Sequence, residues 1–231
     1  MISPIAFEFL GIKVYWYGIS YLATFLISRS IVLKLGKKHK LLNANQVDSL
    51  INHIFIGVIL GGRIGYFLFY EKFSMEIFKI WQGGMSFHGG FIGASISIII
   101  FCLKYEKRLL IISDLCSICA PIGCFLVRIG NYINQEINGS YSNFLTQTHP
   151  VVLYEALLEG LLNFLIIIIC YKKTKLKKEG ILTGLFLLNY GVFRIACEFF
   201  KEDYGSFLGI QKGQILSLPI VILGIIILRK K

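Results

Sequence analysis

Four arginines, Arg29, Arg63, Arg128 and Arg194, interrupt otherwise apolar runs of this 231-residue chain. A guanidinium is costly in hydrocarbon unless it is paired or wet, so an arginine inside such a run marks a functional position by default. Arg29 lies beside the basic cluster Lys34 to Lys40, where its stem can snorkel to an interface. Arg63, Arg128 and Arg194 fall on one side of three different runs and together call for an anion, whose oxygens a planar guanidinium fork can grip in pairs. Arg128 leads "VRIGNYINQEINGS" (127–140), which adds Asn131, Asn134, Glu136 and Gly139. In "HPVVLYEALLEG" (149–160) and just beyond, Glu155, Glu159 and Asn163 recur every four residues, a polar stripe that must face protein or water. Arg194 shares a helical face with Tyr190 and Glu198 in "NYGVFRIACEFFKEDYG" (189–205), and the spacing also allows an Arg194–Glu198 pair that fixes the guanidinium. His88, in "GGMSFHGGFIGA" (83–94), sits at the mouth of another apolar run, either as a titratable group or as a wet cap.

The elements that must position these residues follow from hydropathy. The chain is 55% hydrophobic and only 16% charged, with a mean hydropathy of +0.69. No soluble domain of this size buries so much apolar surface, which defines an all-α integral membrane protein. A spanning helix needs roughly 20 mostly apolar residues, and seven such runs can be drawn, over about 15–34, 47–70, 86–103, 112–130, 151–171, 181–200 and 214–228, the last the shortest. The connections alternate in charge. One set carries Lys34, Lys37, Lys38 and Lys40, then Lys104, Lys107 and Arg108, then five lysines over 172–178, then Arg229, Lys230 and Lys231. The other set carries only Lys13, Lys72, Lys79, Lys201 and Lys212. The positive-inside rule makes the first set cytoplasmic, with the amino terminus outside and the carboxyl terminus inside. The excess of 24 Lys and Arg over 13 Asp and Glu is thereby explained as membrane anchoring, and no nucleic-acid partner is expected. Residues 1–231 read as one polytopic membrane domain, with 131–149 a short external head segment within it and no internal repeat. The opening stretch "MISPIAFEFLGIKVYWYGISYL" lacks the basic start and small-residue site of a cleavable signal.

Packing accounts for other unusual residues. Gly57, Gly61 and Gly65 form one small-residue stripe, and Gly89, Gly93 and Ser97 another, which predicts a close pair of helices. Gly83 and Gly84 supply the turn before the third span. Asp114 is expected to cap the fourth span, and Pro121 to kink it. The Cys116-x-x-Cys119 pair has no second pair or nearby histidine and reads as buried small hydrophobes. Tyr66 and Tyr70 read as interfacial belt residues.

In order along the chain, "YWYGISYL", "GGRIGYFLFY", "GGMSFHGGFIGA", "RIGNYINQEINGS", "HPVVLYEALLEG", "YGVFRIACEFF" and "GQILSLP" resemble the prolipoprotein diacylglyceryl transferase family, over about Tyr15 to Pro219. Val127, Tyr132 and the Val151-Val152 pair depart from that family's usual residues, and the segment between Gly139 and His149 is short for it. The resemblance implies a bacterial plasma (inner) membrane enzyme with its site toward the outer face. It implies transfer of the diacylglyceryl group of phosphatidylglycerol to the lipobox cysteine thiol of a prolipoprotein signal peptide, with release of glycerol phosphate. On that reading His88 and Arg194 are catalytic; Arg128, Asn131, Arg63, Tyr17 and Tyr190 bind phosphatidylglycerol; and Asn134, Glu136, Gly139, Glu155 and Glu198 support them. No metal or other cofactor is implied.

Two readings compete. An anion transporter would use the arginines as a vestibule, but such proteins place sites at the midplane between repeats. A serine hydrolase would use Ser86 and His88, although the second glycine of a nucleophile elbow is missing after Gly84-Met85-Ser86.

Overall fold

The computed structural model describes residues 3–9, 12–69, 71, 74–79, 84–134, 139–142, 147–202, 206–207 and 210–230. Its helices include seven long and apolar enough to cross a membrane, as the hydropathy requires: α1 (Trp16–Lys38), α2 (Ala44–Phe69), α3 (Phe87–Lys104), α4 (Leu109–Asn134), α5 (Val151–Thr174), α6 (Ile181–Glu198) and α7 (Lys212–Arg229). Three short antiparallel hairpins lie between or before them: β1 (Ile5–Phe9) with β2 (Ile12–Tyr15), β3 (Tyr141–Ser142) with β4 (Gln147–Thr148), and β5 (Ser206–Phe207) with β6 (Ile210–Gln211). The chain forms two compact units, one of Met1–Ser28 with Asp114–Lys231, the other of Arg29–Ser113.

In the Arg29–Ser113 unit, α2 and α3 pack along their two small-residue stripes. A Cβ added to Gly65 would fall 2.6 Å from the Cα of Gly89, and one on Gly61 would fall 2.9 Å from the Cα of Gly93. Backbones this close leave room for hydrogen alone, which is how helices gain van der Waals contact where lipid removes any hydrophobic drive. Gly84 takes a positive φ of 75° in the turn that leads to α3, a conformation glycine adopts at little cost. Arg29, expected to snorkel, is half-exposed and also finds a partner. Its Nε and terminal nitrogen donate to the two carboxylate oxygens of Asp48 at 2.6 and 3.2 Å, a fork that joins α1 to α2.

In the other unit, α4 runs several residues beyond 112–130 at both ends, and Asp114 lies inside it instead of capping it. The Asp114 carboxylate accepts from the Gly180 N–H, the Thr183 N–H and the Thr183 hydroxyl, each at 2.7 Å. It therefore caps α6, whose first turn would otherwise leave these donors unpaired. Gly160 brings α5 onto α4, since a Cβ there would lie 2.6 Å from the Cβ of Phe125. Around that contact α5 widens into a π-helical stretch, Ala156–Leu162. Such stretches are rare and concentrate at functional sites. The helices α6 and α7 meet closely at Gly224, where a Cβ would fall 2.7 Å from the Leu188 amide nitrogen.

Candidate active site

Three consecutive spans each contribute charge to one buried cluster: Arg128 from α4, Glu155 and Glu159 from α5, and Arg194 and Glu198 from α6, with Lys201 following α6. Glu155 and Glu159 have no exposed surface, and both arginines and Lys201 are 8% exposed. Glu155 is the hub. Its carboxylate takes Arg128 Nε at 3.0 Å and Lys201 Nζ at 2.8 Å, and forms a short pair with a terminal nitrogen of Arg194. Glu198 takes the other terminal nitrogen of Arg194 at 2.8 Å and Lys201 Nζ at 2.6 Å. The i,i+4 pair of Arg194 and Glu198 is thus formed, as the sequence allows, and it fixes the guanidinium. Glu159 is held more loosely, 3.5 Å from Arg128 and 3.5 Å from Arg194.

Each position has a local cause. The recurrence of Glu155, Glu159 and Asn163 turns all three onto the protein side of α5, and Asn163 is fully buried, its side-chain oxygen accepting from Asn189 of α6 at 3.3 Å. Tyr190, one turn before Arg194, is fully buried and Asn131, one turn after Arg128, nearly so. Gly130 lets α1 approach α4, because a Cβ there would fall 3.2 Å from the Cα of Tyr17. Tyr17 therefore borders the Arg128–Asn131 turn. Gly213, at the head of α7, has the same function toward Glu198: a Cβ would fall 2.5 and 2.6 Å from its carboxylate oxygens. Gly139 bridges Lys201 backbone to backbone, and Ser140 N–H donates to Phe200 O at 2.8 Å. The segment after α4 is thereby tied to the end of α6. Asn134 ends α4, and Glu136 lies outside the described residues. Burial, with Arg194 close by, pulls the Lys201 ammonium below its usual value against the opposite pull of Glu155 and Glu198.

Two sequence candidates, Arg63 and His88, belong to the Arg29–Ser113 unit. Arg63 donates to the backbone carbonyls of Ile77 at 3.1 Å, Gly84 at 3.1 Å, Glu76 at 2.5 Å and Lys79 at 2.9 Å. This guanidinium pins residues 76–79 and Gly84 to α2. His88 is buried in the first turn of α3. Ser86 caps that helix, its hydroxyl accepting from the Gly89 N–H at 3.3 Å, and so has a structural task without being a nucleophile.

Sequence reasoning left two members out of the site. In the sequence Glu159 stands in the polar stripe with no partner given by spacing, and Lys201 reads only as a loop charge. The four-residue spacing was a usable signal for Glu159. Nothing local signalled Lys201, because its partners lie partly 46 residues away on α5.

Seven apolar helices and a buried arginine–carboxylate cluster shared by three of them define a multi-pass membrane protein with an intramembrane ionic site. The family model described as prolipoprotein diacylglyceryl transferase matches residues 4–229. The chain belongs to the prolipoprotein diacylglyceryl transferase family. Among its relatives, the phosphatidylglycerol–prolipoprotein diacylglyceryl transferase of Ehrlichia ruminantium (strain Welgevonden) is 39% identical, over 99% of this chain and 96% of the relative. The protein of the same name from Buchnera aphidicola subsp. Acyrthosiphon pisum (strain 5A) is 38% identical over 99% and 96%. That of Acinetobacter baylyi (strain ATCC 33305 / BD413 / ADP1) is 37% identical over 97% and 90%. The protein is accordingly a transferase of lipoprotein biosynthesis.

Proposed function

We propose that this enzyme moves the diacylglyceryl group of phosphatidylglycerol onto the lipobox cysteine thiol of prolipoprotein signal peptides, as the first step of lipoprotein maturation. It works in the bacterial inner membrane, with the amino terminus and the site on the outer side and the carboxyl terminus in the cytoplasm, as the distribution of lysines supports. The observation that carries the reading is the buried pairing of Arg128 and Arg194 around the α5 carboxylates. Two guanidinium groups held rigid in a site shielded from water are suited to a lipid phosphate.

The chemistry follows from the groups. Sulfur forms a bond to the glycerol carbon of the lipid as the carbon–oxygen bond to phosphate breaks. The bonding electron pair leaves with oxygen, and the phosphodiester becomes a phosphomonoester, glycerol phosphate. The thiol must shed its proton, since the thiolate is the nucleophile and a free thiol has a pKa of about 8.5. His88 is the proposed acceptor, with an imidazole pKa of about 6.5 suited to the task. Negative charge grows on the leaving phosphate, and donors that hold that charge more tightly than the diester lower the barrier. Arg194, fixed by Glu155 and Glu198, is assigned this role. Arg128 with Asn131, Tyr17 and Tyr190 holds the diester. Arg63 serves by fixing residues 76–79 and Gly84, and Asn134, Glu136, Gly139, Glu155 and Glu198 support the arrangement.

The test is incubation of the purified protein with phosphatidylglycerol radiolabelled in its acyl chains and a lipobox peptide. Label is expected on the peptide with cysteine and absent from the Cys→Ser peptide. Equal labelling of both peptides, or none of either, rejects the thiol-transfer reading.

A further inference from the structure

The ionic cluster is already balanced. Arg128, Arg194 and Lys201 face Glu155, Glu159 and Glu198, so a phosphodiester entering with one negative charge leaves the site with one carboxylate too many. An uncompensated charge is expensive in so buried a place, and a carboxylate there is relieved by taking up a proton.

The structure points to which one. Glu155 has three cationic partners, including Arg128 at 3.0 Å and Lys201 at 2.8 Å, and Glu198 has two within 2.8 Å. Among the described residues Glu159 has two 3.5 Å contacts, at the limit of hydrogen bonding, and its Oε1 accepts no hydrogen bond; Glu155 Oε2 accepts none either, but has Arg128 Nε at 3.0 Å. The Nε of Arg194 likewise donates to nothing among the described residues. A buried open donor and a buried open acceptor therefore belong to two side chains 3.5 Å apart. The charged and titratable groups around Glu159 are Cys124 and Arg128 on α4, Glu155 on its own helix, Tyr190, Arg194 and Cys197 on α6, and Lys201 beyond it.

We infer that Glu159 is a substrate-coupled proton site: as the lipid phosphate takes over the arginine donors, Glu159 binds one proton. In its neutral form the carboxyl becomes a donor, so it can return a hydrogen bond to a phosphate oxygen instead of repelling it. No covalent bond changes in this step; one proton from solvent enters with one lipid. The inference rests on the proposed phosphate site at Arg128 and Arg194.

The experiment is calorimetric titration of the detergent-solubilised full chain with short-chain phosphatidylglycerol, in two buffers of different ionisation enthalpy and across a pH series. Wild type is expected to take up about one proton per lipid, with Kd rising about tenfold per pH unit where Glu159 would otherwise be charged. Glu159→Gln should bind with no uptake and a Kd nearly flat with pH, whereas Glu198→Asp, which keeps the cluster's charge count, should keep both the uptake and its pH midpoint. Glycerol phosphate, titrated in parallel, separates the lipid from its leaving group: uptake is expected with the diester lipid at a Kd at least tenfold lower. Normal lipid binding without proton uptake overturns the inference alone, as does unchanged uptake in Glu159→Gln. If lipid binds equally well to wild type and Arg128→Gln, the phosphate site itself is wrong and both readings fall. Should Glu159→Gln not fold, Glu159→Asp carries the test, because moving the carboxyl must move the midpoint of the pH dependence; an unmoved midpoint also overturns it.

Discussion

Two glutamates one turn apart on α5 should respond very differently to the same change. Glu155→Gln removes the only carboxylate among the described residues within 3.0 Å of Arg128, which is left with its 3.5 Å contact to Glu159. Arg194 and Lys201 still have Glu198 at 2.8 and 2.6 Å. One buried guanidinium is therefore stranded, and removing one partner of a buried pair costs about 3–5 kcal/mol. Glu159→Gln strands nothing, because both arginines keep closer carboxylates, and the loss should be about 1 kcal/mol, that of a weak hydrogen bond. For a chain of this size each kcal/mol moves Tm by about 2–4 °C, so Glu155→Gln should melt about 6–20 °C below wild type and Glu159→Gln about 2–4 °C below. Thermal unfolding of both variants in one detergent, followed by intrinsic fluorescence, measures the contrast. Equal losses, or the larger loss at Glu159, would show that partner distances do not govern the cluster's energy and would refute the hub role of Glu155.

Arg128→Lys keeps charge but loses the planar fork, so it should weaken both phosphatidylglycerol binding and turnover, read by equilibrium binding and initial rate. Arg194→Lys should cut turnover by about tenfold or more with binding nearly intact, as an interaction made mainly in the transition state requires. If His88 is the base, His88→Gln should lose most rate at low pH and recover part of it as pH rises and the thiol ionises unaided; a flat ratio to wild type across pH speaks against it. Asp114→Ala removes the three bonds that cap α6 and should cost about 1–2 kcal/mol in thermal or denaturant unfolding.

The spans were legible because hydropathy is a property of each segment by itself. So was the glycine seam of α2 and α3, since small residues four apart have few other uses in lipid. What the sequence hid was partnership. Ser113-Asp114 before an apolar run has the form of a cap for the helix that follows. Its donors come instead from Gly180 and Thr183, which no window around Asp114 contains. Arg29 is near enough to a basic cluster to suggest snorkelling, yet Asp48 answers it across a helical hairpin. Arg63 looked like an anion ligand by its depth alone, and the carbonyls it grips belong to a segment with no motif of its own. At the candidate site the i,i+4 spacings exposed Glu155, Glu159 and the Arg194–Glu198 pair. Which cation each carboxylate holds, and the membership of Lys201, are settled by the docking of α4, α5 and α6.

The sharing of charges among α4, α5 and α6 also bears on how the chain is made. A single charged residue at the centre of a spanning helix opposes insertion by about 2.5–3.5 kcal/mol. Glu155 and Glu159 place two charges in the first half of α5, and Arg128 and Arg194 lie toward the ends of α4 and α6, where each charge costs less than at the centre but the costs add. These three helices leave the ribosome one after another, and α4 and α5 each hold a counter-charge of the next. Partition of any one into lipid is favoured once its neighbour is at hand, so the three should exit the insertion machinery as a unit, with α4 waiting for α5. A cluster shared among three helices in this way thereby also sets an order of assembly during synthesis.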